Sequence, residues 1–169
     1  MNAFVLYIGY FGPSVLLFSS VLLTLTDKVV LGELLVGTGI NHLLNAGLKQ
    51  MFRDQRPSPR YHYISTSDFV EKTTHVHELG LQEYGMPSGH AQHVWFFTSF
   101  IYYFVEQPYA TLFFTCISVI TCMQRVIYKN HTLLQVIIGG VVGILFGYLW
   151  RVILSNPLLC NPLSSFSDA

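Results

Sequence analysis

Gly85–Phe97 reads GMPSGHAQHVWFF, a Pro-Ser-Gly-His cluster opening directly onto an aromatic, apolar run. Proline cannot continue a helix from the residues before it, and serine is a favoured N-cap, so the stretch predicts a helix beginning at Ser88. The run behind it is apolar enough to enter a membrane. That makes GMPSGH a helix start at a water boundary, and it places His90 and His93 close to that boundary. What the histidines do there depends on what else reaches the same face.

Of the 169 residues, 51% are hydrophobic and only 11% are charged, under half of the roughly 25% usual in a soluble domain. Mean hydropathy is +0.46. Water is therefore a poor candidate for the main solvent. Net charge is zero with histidine neutral, which gives no electrostatic footprint for nucleic acid. Cys116, Cys122 and Cys160 include no Cys-x-x-Cys pair, so neither a disulfide framework nor a thiolate metal site is indicated. The length suits a single domain, 1–169, with a core over about 41–150 and an irregular tail over 155–169. The first residues carry no basic leader or small-residue cleavage site and read as a retained first span.

A bilayer core about 30 Å thick needs roughly 20 apolar residues per helix. Five stretches qualify, near Ala3–Thr24, Val29–Leu48, Ser88–Glu106, Tyr109–Ile127 and Thr132–Leu154. The expected fold class is therefore all-α, a polytopic membrane bundle of about five transmembrane helices. Glu33, Asn41, His42 and Asn45 fall inside the second stretch, and polar groups there should face other helices, with Glu33 pairing His42. Gly139, Gly143 and Gly147 recur at intervals of four and form a groove for a neighbouring helix, within the subunit rather than as a dimer motif. Five crossings place the Lys49–Gly85 segment, Pro87–His90 and the Arg125–His131 turn on one face. Asp27-Lys28, Glu106–Pro108 and the tail fall on the other. Outside the clustered motifs, Arg53, Arg60, Lys72 and Lys129 outnumber Lys28 and Arg151, which favours a cytoplasmic first face.

Three segments meet at that face. In LKQMFRDQRP, Lys49 ends the second span and Arg56, biased to extended backbone by Pro57, stands beyond it. Two such cations suit an anion, although alone they are the ordinary flank of a span. At Ser88, free first-turn N–H groups and the positive end of the helix dipole suit phosphate, and Gly89 permits close backbone approach. His90 lies in that first turn with a reference pKa near neutrality; alone it is an incidental histidine on a capped helix. In QRVIYKNHTLLQV, Arg125 closes the fourth span and His131 opens the fifth. Gln135, one helical turn along, can accept a proton from one imidazole nitrogen and leave the other free to attack. Three cations, a phosphate-ready helix start and two histidines at one face match phosphoryl transfer.

Taken together, Lys49-x6-Arg56-Pro57, Pro87-Ser88-Gly89-His90 and Arg125-x5-His131 resemble the three-part signature of the type 2 phosphatidic acid phosphatase superfamily. The resemblance implies a helical, haloperoxidase-like core and hydrolysis of lipid phosphates or diphosphates without metal or other cofactor. It implies that His131 attacks phosphorus to form a phosphohistidine, while His90 protonates the leaving oxygen and later activates water. Lys49, Arg56, Ser88, the Gly89 N–H and Arg125 would hold the phosphoryl oxygens. The implied partners are a lipid phosphate or diphosphate and the bilayer, with no nucleic acid.

Two positions depart from the pattern. Gln124 replaces the serine before the third motif's arginine, and Gln135 replaces the aspartate four residues after its histidine. The run from Tyr128 to Val136, Gly139-Gly140 and the GMPS start are similar to the dolichyl-diphosphatase branch. That branch implies a polyprenyl diphosphate and, in a eukaryotic or viral chain, a lumenal site in the endoplasmic reticulum membrane, against the positive-residue count. The superfamily's usual six spans exceed the five counted, which leaves a helix from a homo-oligomer partner open. Two alternatives stand beside this expectation. One is a phosphatidate-type phosphatase or phosphotransferase; the other is a non-enzymatic pore or assembly factor disabled by Gln135. His75 and His77 with Glu78 lack a second ligand pair of zinc spacing, so no metal is expected. Tyr61, Tyr63 and Phe69 read as an interfacial belt, and His62 and Glu83 as solvent-facing.

Overall fold

A computed structural model describes residues 3–57 and 84–156, with side chains from Tyr7 onward. His62, His75, His77, Glu78, Glu83, Tyr61, Tyr63, Phe69, Cys160 and most of the tail lie outside the described residues. Among the described residues five α-helices follow one another: α1 (Ala3–Thr24), α2 (Lys28–Phe52), α3 (Gly89–Phe100), α4 (Pro108–Ile127) and α5 (Leu133–Leu154). No strand occurs among the described residues, only an isolated bridge between Gln55 and Tyr84. Local chemistry sets the ends. Asp27 caps α2 by accepting the Val29 and Val30 N–H groups at 3.0 and 3.2 Å. Pro108 takes the first turn of α4, where its missing donor costs nothing.

Four of the helices, α1, α2, α4 and α5, are long and apolar enough to cross a membrane. The chain is a multi-pass membrane protein with an all-helical bundle. The third predicted span behaves differently from the others. Its 12 α-helical residues pass into a π-helical turn over Ile101–Val105, closed by the Glu106 N–H on the Ile101 carbonyl at 3.1 Å. This helix is packed by all four others and forms the axis of the bundle. Phe96, Phe97, Phe100 and Ile101 are shielded completely. Its polar Gln92, Thr98 and Ser99 are buried along with the aromatic rings, so protein, not lipid, does most of the enclosing.

Two devices fix α3 in place. Along α5, the glycine groove is filled by α3 of the same chain, as the spacing predicts. A Cβ on Gly139 would sit 2.5 Å from the Ser88 carbonyl oxygen, one on Gly143 would overlap the Gln92 carbonyl, and one on Gly147 would press on Ser99. Across α2, Gln92 donates to the Asn41 Oδ1 at 2.8 Å and the Asn41 carbonyl at 3.0 Å. It accepts from Asn45 Nδ2 at 2.8 Å. The costly amides of the second span are thus joined to one another inside the bundle. Glu33 and His42 are a different matter: His42 packs on the His93 ring, centroids 5.5 Å apart, while the charges around Glu33 are Arg151 and Asp27. Nine residues, about two and a half turns, put Glu33 and His42 on opposite faces of α2.

Candidate active site

Lys49 lies in the last turn of α2, and the helix stops at Arg53, whose φ of 47° is left-handed and whose N–H donates to the Lys49 carbonyl at 3.0 Å. The turn sends Asp54 and Gln55 back across the bundle end. There the Asp54 carbonyl accepts the Gly85 N–H at 2.6 Å, and Gln55 pairs antiparallel with Tyr84. Lys49 Nζ donates to the Tyr84 carbonyl at 3.3 Å. The first two motifs are therefore tied directly to each other. The second joins the third where the Ser88 N–H donates to the Gln135 carbonyl at 3.0 Å, setting the starts of α3 and α5 side by side. Between α4 and α5, the Arg125 carbonyl accepts the Asn130 and His131 N–H groups at 3.0 and 3.1 Å, with Lys129 left-handed at φ 54°. That fold of the chain brings Arg125 and His131 to the same place.

His131 does not open α5. Thr132 is the N-cap, and it forms a capping box: Thr132 Oγ1 accepts the Gln135 N–H at 3.2 Å, and Gln135 Oε1 accepts the Thr132 N–H at 3.1 Å. His131 sits one residue outside the helix, 3% exposed, with Nδ1 3.2 Å from the same Gln135 Oε1. The other end of the amide is occupied too. Gln135 Nε2 donates to Asp54 Oδ2 at 2.7 Å and to the Gln55 carbonyl at 2.9 Å. These partners assign the amide without ambiguity, because a flip would set its oxygen against a carboxylate and a carbonyl. His131 Nδ1 therefore faces an acceptor and carries the proton, which leaves the Nε2 lone pair available.

Burial, then the charges of Arg56, Arg125 and Lys49, push the His131 imidazole from 6.5 down to about 3, against the pull of its Gln135 hydrogen bond. Three cations act on one neutral imidazole. Arg125 and His131 are in turn electrostatic neighbours of His90, whose Nε2 lies 3.2 Å from the Tyr10 carbonyl of α1. A carbonyl only accepts, so His90 Nε2 carries a proton and Nδ1 is the nitrogen left to exchange one. His93 is also an electrostatic neighbour of His90 and of Lys49, but its Nδ1 lies 2.7 Å from the Gly89 carbonyl and its ring faces His42.

Ser88 occupies the N-cap position of α3 but makes no side-chain cap, contrary to the expectation for that residue type. Its Oγ is fully buried without a hydrogen-bond partner. The hydroxyl and the first-turn N–H groups of α3 are consequently not consumed by one another. Gly89 is tight for a second reason: a Cβ there would come within 3.1 Å of Asn45 Oδ1. The structure thus brings Lys49, Arg56, Ser88, Gly89, His90, Arg125, His131 and Gln135 to one end of the bundle. Among the described residues, no group of three or more His, Cys, Asp or Glu side chains is placed to hold a metal ion. Sequence reasoning missed Asp54, Gly85 and Tyr10. Asp54 stands between the two motif cations and Gly85 next to the GMPS start, but neither position advertises a contact with Gln135.

The PAP2 superfamily model matches residues 30–157, three quarters of the chain and all three motifs. The chain belongs to the PAP2 superfamily. Lipid phosphate phosphatase epsilon 2, chloroplastic, of Arabidopsis thaliana is similar to it, at 28% identity over 159 residues, covering 89% of this chain and 49% of the relative. The chain spans about half the length of that curated relative. No solved structure matches it. Within the superfamily's frame, Gln124 is a packing residue at the α1–α4 contact. It is 2% exposed, and Gly9 lies so close that a Cβ would overlap its side chain.

Proposed function

We propose that this PAP2 protein is a membrane-embedded lipid phosphatase that forms a phosphohistidine on His131. The observation that carries the reading is a neutral, buried imidazole with its Nε2 lone pair unspent among three permanent cations. The lone pair attacks phosphorus and the bond from phosphorus to the leaving oxygen breaks. His90 takes a proton from solvent onto Nδ1 as the anionic headgroup binds, keeps Nε2–H on the Tyr10 carbonyl, and passes the Nδ1 proton to that oxygen. Water then attacks the phosphohistidine, His90 takes its proton, and the P–N bond breaks to release inorganic phosphate. Lys49, Arg56 and Arg125, with Ser88 and the Gly89 N–H, stabilise the charge gathering on the equatorial oxygens. The cations that favour a neutral His131 are offset by the phosphate's own charge once it binds.

We infer a polyprenyl diphosphate as the substrate class. A phosphate leaving group asks less of the nucleophile than an alcohol does, which suits a histidine backed by an amide rather than directly by a carboxylate. A lipid tail lying along the bundle keeps its headgroup at the face where the motifs meet. The endoplasmic reticulum, implied by the dolichyl-diphosphatase resemblance, is tested by microscopy of the tagged chain. Activity is tested with purified protein in detergent and a chelator, offered polyprenyl diphosphate, phosphatidate or a soluble sugar phosphate. Phosphate release is expected from the diphosphate first, with none from His131→Ala and an acid-labile phosphoenzyme trapped in the wild type. Turnover persisting in His131→Ala removes the mechanism, and preference for phosphatidate removes the substrate class.

A further inference from the structure

The geometry points to Asp54 as a positioning residue that acts on His131 through the Gln135 amide. This rests on the phosphohistidine reading above and deepens it. The family signature sets an aspartate four residues after the histidine. Here that place holds Gln135, and the carboxylate arrives from the turn after α2 instead.

Every hydrogen-bonding position of the Gln135 amide is taken. Its oxygen accepts from Thr132 N–H and His131 Nδ1, and its nitrogen donates to Gln55 O and Asp54 Oδ2. Thr132 and Gln55 suffice to orient it. Asp54 adds something they cannot, a charge-assisted bond of 2.7 Å, the shortest of the four. A carboxylate pulling on Nε2–H drives electron density toward Oε1, and hydrogen bonds in such a chain strengthen one another by roughly 10–30% each. The positive charge that His131 gains as Nε2 bonds phosphorus is thereby answered by a negative charge two hydrogen bonds away. Among the described residues the acids are Asp27, Glu33, Asp54 and Glu106, and only Asp54 lies at the site end. Its backbone is held there by the Gly85 N–H on its carbonyl, and Gly85 itself is a glycine whose Cβ would collide with the Gln135 amide at 2.5–2.8 Å.

The test compares Asp54→Ala, Gln135→Asp, the two combined, and His131→Ala. It follows phosphate release from farnesyl diphosphate and the ring resonances of ¹⁵N-histidine-labelled protein at neutral pH. Asp54→Ala is expected to lower kcat by about 10–100-fold, the size of loss seen when the group hydrogen-bonded behind a metal-bound histidine is removed, with KM little changed. Its His131 Nδ1 proton should move upfield. Gln135→Asp alone should be the worse variant, since it sets one carboxylate against another. In the Asp54→Ala background the same change should restore activity, because the new carboxylate bonds His131 directly. A purely structural role for Asp54 predicts no such reversal of sign. Full kcat and an unmoved Nδ1 proton in Asp54→Ala, with His131→Ala dead, overturn the relay and leave the hydrolase standing. An inert wild type whose Nδ1 proton still responds to Asp54→Ala supports the relay and removes the hydrolase. Losses that add without reversal in the double variant also overturn the relay.

Discussion

Gly143 carries a sharp test of how the two motif-bearing helices are held. A Cβ at this position would overlap the Gln92 carbonyl oxygen and lie 3.0 Å from the Phe96 nitrogen and 3.1 Å from the Gln92 carbonyl carbon, all of them backbone. None can rotate away. Reaching a comfortable separation of about 3.5 Å requires α5 to move off α3 by about an ångström. Overpacking of this kind costs typically about 1–3 kcal/mol. At roughly 2–4 °C per kcal/mol for a chain of this size, Gly143→Ala should melt about 2–12 °C below the wild type. Gly39 of α2 is the control. Nothing lies within 4 Å of its Cβ, and the helix propensity gained by alanine, up to about 1 kcal/mol, should hold or raise its melting point. The two tryptophans make the assay convenient: Trp95 lies on α3 and Trp150 on α5, so intrinsic fluorescence during a thermal ramp reports the separating pair. Gly143→Ala melting with the wild type, while Gly39→Ala melts early, would refute the packing argument.

Three further outcomes are expected. His131 is held neutral in the folded chain at about 3, below its ordinary 6.5. Stability from this group is therefore present above 6.5 and lost as pH falls toward 3. Arg56, Arg125, Lys49 and His90 are the charged or titratable groups acting on it, so Arg56→Ala should raise the His131 midpoint in a ¹⁵N-histidine titration; an unchanged midpoint shows that the cation does not reach it. Gly85→Ala should press on the Gln135 amide from 2.5 Å and cut kcat by about 10–100-fold, as misplacement near one ångström does, read from steady-state rates beside an unaltered KM. Gln92→Leu should strip Asn45 Nδ2 and Asn41 Oδ1 of their partner, at about 1–3 kcal/mol for each buried group, and a melting point equal to the wild type would contradict that.

Much of the bundle was legible because lipid imposes a coarse rule: apolar length gives the helices, and turn residues give their ends. The α1, α2, α4 and α5 boundaries fall within a few residues of those read from hydropathy. The same rule finds the third helix close to its Ser88–Glu106 bounds, but apolar composition cannot tell a helix facing lipid from one enclosed by four others. Spacing also brought Lys49, Arg56, His90, Arg125 and His131 to one face, because each lies at a helix end. What it did not carry was the hydrogen-bond closure of that face. Ser88 reads as a cap from its type, and its backbone is extended as a cap's is, yet its hydroxyl leaves the first turn uncapped. Asp54 reads as one charge in a flank, and its contact with Gln135 spans 81 residues of sequence.

The acceptor for His90 on α1 is a main-chain carbonyl, so no substitution of the Tyr10 side chain removes it. Only the path of the helix can, and Pro13 already withdraws one backbone donor from the following turn. That helix lies outside the segment matched by the superfamily, residues 30–157. Gly9 and Gly12 are held by their contacts with Gln124 and Thr121, but the letter at position 10 can change without removing the acceptor, so comparison of side chains passes over a group that governs where a histidine proton resides.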